Sequence, residues 1–151
     1  VETVAAPGLA YALLRGPLLF ETRFVDGQQA VSSSLHLPRL DAAFVLKAAL
    51  AESGVRTRPD RVITDSVDAI MLAAACLTDP PSLQALRDYR GRSDVRKALR
   101  WVDEAFRSNT AVGSRRAERH FEDEGAGTGA GEWAHRVAVS LAEAITESLP
   151  D

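Results

Sequence analysis

Three residues carry the strongest chemical signal in the chain: Lys47, Asp65 and Asp68. Lys47 sits in LPRLDAAFVLKAALAES, a run that is otherwise almost all apolar. If Leu37 to Glu52 is largely helical, Leu40 and Phe44 precede the lysine, and Leu50 and Ala51 follow it, at spacings that put all of them on one face. An ammonium on a buried face is costly unless it snorkels to water or meets an anion. Asp65 and Asp68 come about twenty residues later, at the start of DSVDAIMLAAACL. Carboxylates three apart share a helix face, where they can hold a metal ion, position a substrate or pair with a lysine. A lysine can also bind phosphate as a point charge. The same aspartates suit a structural part, with Asp65 as N-cap and Asp68 at the third helical position. The spacing predicts that Lys47 projects toward Asp65 or Asp68.

Two basic clusters stand apart from that trio. Arg56, Arg58 and Arg61 fall in VRTRPDRVI, which reads as a basic loop able to meet the phosphates of a nucleotide or an RNA backbone, or simply as a solvated loop. RDYRGRSDVRKALR supplies Arg87, Arg90, Arg92, Arg96, Lys97 and Arg100, with Tyr89 as a stacking ring, interleaved with acids as a solvated helix face would be. His36, His120 and His135 have no partner at metal-ligand spacing, and no metal site is predicted. HExxH, CxxC, GxSxG and a phosphate-binding glycine loop are all absent. Cys76, in the middle of the apolar run, reads as an inert packed thiol.

The elements that must position these residues follow from punctuation and periodicity. PGLAYALLRG has a proline near its start and Gly16 at its end, the marks of a two-turn helix. PLLFETRFV and QQAVSSSLHL alternate around Asp26-Gly27 and predict a β-hairpin. The Lys47 helix is expected over about residues 39 to 53, the apolar helix over 65 to 77 and a short helix from Ser82 to Tyr89. An amphipathic helix capped by Ser93 follows, and a last helix is expected from about Glu132 to Leu149. SRRAERHFEDE reads as a polar stretch, and GAGTGAG near 125–131 as a flexible linker. The predicted fold is α+β, an N-terminal β-hairpin packed on a mainly helical C-terminal bundle. The hairpin region spans residues 1–38, which reads as the end of a truncated sheet, and the helical region 39–151. The expected core is Phe44, Val67, Ile70, Met71, Leu72, Leu99, Trp101, Phe106, Trp133 and Leu141.

At 151 residues and 46% hydrophobic content the chain is long enough for one domain, or a tight pair of subdomains, with a real core. A formal charge of -3 argues against a surface built wholly for nucleic acid and leaves room for local basic patches. A single cysteine rules out an intrachain disulfide and suits a reducing compartment, so cytoplasm is the expected location. No apolar stretch approaches the roughly 18 to 20 residues needed to cross a bilayer, and no membrane partner is expected. The opening VETVAAPGLAYALL reads like the middle of a domain, so a fragment is expected.

The hairpin, LHLPRLDAAFVLKAAL, the arginine-containing segment and TDSVDAIMLAAAC together resemble the later half of AbiEii-like nucleotidyltransferases, in which an LP...LKxxA helix precedes an R...KDxxD segment. The match covers about residues 1 to 78; Thr64 stands where that family has a basic residue before the first aspartate. The resemblance implies the C-terminal part of a nucleotidyltransferase-fold protein. Lys47 would assist nucleotide triphosphate binding, with Asp65 and Asp68 in the active site and Arg56, Arg58 and Arg61 near phosphate. It implies transfer of a nucleotide from NTP to an RNA or protein acceptor in the full-length protein, with Mg2+ as cofactor, in the manner of a toxin. An antitoxin or an upstream catalytic segment would be the partner. The Gly-Ser turn followed by an Asp-x-Asp or Asp-x-Glu metal pair that such enzymes carry is absent from the 151 residues, which implies an inactive isolated chain. The alternative is a noncatalytic helical module that binds a protein or nucleic acid.

Overall fold

The computed structural model describes residues 8–26, 29–53 and 58–147. The fold is α+β, a two-stranded antiparallel hairpin followed by mainly helical structure. Helix α1 (Leu9–Arg15) lies between Gly8 and Gly16, both at positive φ, and leads into β1 (Pro17–Asp26) and β2 (Gln29–Pro38). The ladder runs from Pro17 opposite Pro38 to Asp26 opposite Gln29. Prolines suit its base because they lack the N–H that would continue it. None of the hairpin side chains whose burial is described joins the buried core, and Leu19, Phe20, Val25, Val31, Leu35 and Leu37 are 45% to 66% exposed.

Six helices complete the described chain: α2 (Leu40–Ser53), α3 (Pro59–Thr78), α4 (Pro80–Asp88), α5 (Ser93–Ala105), α6 (Val112–Asp123) and α7 (Ala130–Thr146). Helix α2 packs against α1, α3, α4 and α5. Its buried stripe is Asp41, Phe44, Val45, Ala48 and Ala49, a helical spacing that differs from the expected Leu40, Phe44, Leu50 and Ala51 face. Lys47 lies at the margin of that stripe.

The buried member of the stripe that most constrains the fold is Asp41, which has no exposed surface. Its carboxylate accepts hydrogen bonds from the Tyr11 hydroxyl at 2.6 Å, Arg15 Nε at 2.5 Å and Ser82 Oγ at 3.3 Å, so α1 and α4 are both keyed to α2. Burial, then the bond to Asp41, raises the Tyr11 phenol well above its usual range and keeps it a donor. Arg39 Nε donates to the Arg15 carbonyl at 3.2 Å, joining the two ends of the hairpin.

Several local expectations are corrected. Helix α3 begins at Pro59, a residue suited to the first helical turn, so the second half of the supposed basic loop is helical. Asp65 and Asp68 therefore lie in the helix interior and cap nothing. Met71 is 49% exposed because it falls on the outer side of α3, whereas Val67, Ile70, Phe44, Phe106 and Leu141 are buried and Leu72, Leu99, Trp101 and Trp133 are half-buried. Asp79, and not Ser82, caps α4 by accepting from the Ser82 amide at 3.0 Å. Ser93 is the first residue of α5, with Arg92 before it. The polar stretch is α6, which buries Gly113, Ser114 and Ala117. The glycine segment is tied down at its end, where the Glu118 carboxylate accepts the Gly129 and Gly131 amides at 2.7 and 2.6 Å. Those bonds hold the Glu118 carboxyl below its usual range. A Cβ on Gly131 would stand 2.9 Å from the Ser114 carbonyl oxygen, so only glycine fits this close approach of α7 to α6.

Replacing Asp41 by alanine strands a tyrosine hydroxyl and a partly buried guanidinium. The expected loss of unfolding free energy is about 3 to 5 kcal/mol. Urea denaturation checks it, and a loss below about 1 kcal/mol contradicts the keying role of Asp41.

Candidate functional site

Helices α2 and α3 bring the predicted trio together. Lys47 Nζ lies 2.9 Å from Asp65 Oδ1 and 2.7 Å from Asp68 Oδ2. The lysine side chain is 33% exposed, Asp65 is nearly fully buried at 4%, and Asp68 is 38% exposed. The cluster is thus a partly buried ion triad, reached from solvent past Lys47 and Asp68. The helix explains the fork, since Asp65 and Asp68 are one turn apart and converge on one neighbour. Burial works against the charge of Lys47, but hydrogen bonds to Asp68 and Asp65 outweigh it and raise its pKa above the ordinary value. Lys47 is therefore a fixed cation and no general base at neutral pH. With two carboxylates around one ammonium the triad is net negative when all three are ionised. Two of the three ammonium donors are taken by the aspartates, so a phosphate can be met by the third or by Lys47 turning from one aspartate.

Magnesium requires a near-octahedral shell of oxygen ligands. Asp65 and Asp68 do not fit that role here, because the Lys47 ammonium occupies the space between their inward oxygens. Among the described residues no group of three or more His, Cys, Asp or Glu could hold a metal ion.

The arginines divide. Arg58 pairs with Asp60 at 2.9 Å on the surface, Arg61 is exposed on α3, and Arg56 lies outside the described residues. The Arg87–Arg100 cluster is largely committed to structure. Arg87 Nε donates to the Ala144 carbonyl at 2.7 Å and Arg90 Nη1 to that of Ile145 at 3.1 Å, where cations suit the last turn of α7. Arg92 pairs with Asp94, and Arg100 approaches Glu52 and Glu104. The Tyr89 ring packs edge-on against Tyr11 at 5.7 Å and is not a free stacking platform. Burial pushes the Cys76 thiol up to about 12, as an inert packed residue requires.

Sequence reasoning missed Asp41 and the arginines of α6. The signal for Asp41 was present, since it stands three, four and seven before Phe44, Val45 and Ala48 on a single apolar stripe. Comparison of the chain with family models, curated proteins and solved structures finds no match. No helix among the described residues is long and apolar enough to cross a membrane.

Lys47→Met removes the charge and leaves Asp65 buried beside an apolar group. Because a third of Lys47 is in water, the expected cost is about 1 to 3 kcal/mol, below that of a fully buried pair. Adding Asp65→Leu should recover most of the loss, because apolar residues of similar volume often replace an ion pair without penalty. Urea unfolding of both variants checks this. A double variant less stable than the single one contradicts it.

Proposed function

We propose that this chain is the C-terminal part of a nucleotidyltransferase-like protein, forming the helical wall of a nucleotide cleft. The observation that carries the reading is the Lys47–Asp65–Asp68 triad. The residues to which the family resemblance gives catalytic roles lie on two different helices and meet within hydrogen-bond distance. Lys47 would turn from Asp68, the more exposed of its partners, toward a triphosphate, while the buried Asp65 keeps the lysine stem in place. The exposed apolar face of the hairpin supports the same reading, because a two-stranded ribbon needs further strands or a packed face to be stable. Strands bearing the acidic metal pair would supply that contact and hold Mg2+ away from the triad. The acceptor would be an RNA or protein hydroxyl, the activity that of a toxin, the controlling partner an antitoxin, and the location the cytoplasm.

A second reading, a noncatalytic module that binds a protein or nucleic acid, is favoured by one observation: both aspartates already close on Lys47. It differs from the first in its outcome when the chain is joined to strands carrying the acidic pair, because no transfer then appears.

The test is a product that joins this chain to such strands, incubated with radiolabelled NTP and total RNA or protein. Transfer is expected for the joined product and not for the 151-residue chain alone. A folded Lys47→Met form of the joined product should lose it. Undiminished transfer by that variant contradicts a catalytic part for Lys47.

A further inference from the structure

A concave surface lies around the α3 helix from the triad, between the first turns of α3 and the length of α6. Its apolar floor includes Val62 and Ile63 of α3 and Val112 of α6, and its wall carries Arg115, Arg116 and Arg119. The groove encloses about 400 Å³. No acidic residue is among the described residues lining it, in a chain whose formal charge is -3. The positive charge is therefore local, with nothing inside the groove to cancel it.

The three arginines are unequally engaged. Arg116 Nη1 donates to the neutral Ser66 hydroxyl at 3.2 Å, which orients the side chain without neutralising it. Arg119 comes no nearer than 3.9 Å to Asp123, a contact with both side chains 74% exposed that is worth little in water. The Arg115 side chain has no ion pair or hydrogen bond among the described residues. Three planar guanidinium groups with spare donors are suited to bidentate capture of carboxylates or phosphates.

The floor decides between those anions. Among the described residues that line the groove there is no aromatic ring to stack a base and no Asn or Gln to read one. A phosphate chain would satisfy the arginines and leave Val112, 47% exposed, and its neighbours uncovered. A peptide that alternates acidic and aliphatic side chains satisfies both parts at once. From the absence of acids in the groove, its three arginines and its apolar floor, we infer that the α3–α6 groove is a docking site for an acidic, aliphatic peptide segment of a partner protein. The site is separate from the Lys47 triad and stands whether or not the chain takes part in nucleotide transfer.

Fluorescence anisotropy with the 151-residue chain tests this, using a fluorescein-labelled peptide of alternating glutamate and leucine, and a labelled oligouridylate of equal length. The peptide should bind, and binding should weaken with added salt. The exposed double variant Arg115→Glu with Arg119→Glu should weaken it about tenfold or more, and Val112→Ser roughly three- to tenfold, with thermal midpoints close to the parent's. Absence of peptide binding overturns the inference, as does peptide binding that ignores the arginine reversal. Oligouridylate binding that the arginine reversal abolishes and Val112→Ser leaves unchanged also overturns it, in favour of a phosphate-backbone site.

Discussion

Helix α2 carries two charged side chains toward the interior, and its neighbours are arranged to answer them. Asp41 near its start is met by Tyr11 and Arg15 of α1 and by Ser82 of α4. Lys47 near its middle is met by Asp65 and Asp68 of α3. Burying a lone charge is prohibitive, so each partner helix can dock in few orientations that leave neither charge unmatched. Apolar contacts such as Phe44 and Val45 supply the driving force for burial, but they are less particular about register. The ionic contacts supply that direction. Through Gly16 and the Arg39 bond to the Arg15 carbonyl, the orientation of α1 in turn sets where the hairpin leaves the bundle.

The rest of the helical region closes by backbone satisfaction more than by charge pairing. Arg87 and Arg90 meet carbonyls near the C-terminal end of α7, while Glu118 meets amides at its N-terminal end. Both sets place a charge where the helix dipole welcomes it. Helix α7 is thereby fastened at both ends, by α4 and its following turn at one and by α6 at the other. Arginines that remain for other work include Arg61 on the outer side of α3, Arg96 on α5, and Arg115 and Arg119 on α6.

Much of this was legible in the sequence where one local rule governed. The hairpin followed from alternation around Asp26-Gly27, and the Lys47 pairing followed from the cost of an ammonium in an apolar run. The start of α3 was misplaced because the arginines around Pro59 suggested a loop, although proline itself favours the first helical turn. Helix α6 was hidden because it buries only small residues, Gly113, Ser114 and Ala117, and so shows no large apolar stripe. The α3–α6 groove could not be seen at all, since it joins residues about fifty apart through tertiary packing. The hairpin's unburied face was equally hidden, because alternation shows that a face is apolar and not what covers it.

The claim that α2 is held by charges answered in place is tested most directly at Lys47, by following its side-chain amine by nuclear magnetic resonance through an alkaline titration. The account predicts that Lys47 deprotonates above the ordinary lysine range, because Asp68 and Asp65 together outweigh burial. A pKa raised in the folded state contributes stability that is fully present below the unfolded value and is lost as pH rises through the folded one. Alkaline unfolding should accordingly begin as Lys47 loses its proton. Titration of Lys47 within or below the ordinary lysine range, in the folded chain, would contradict the account.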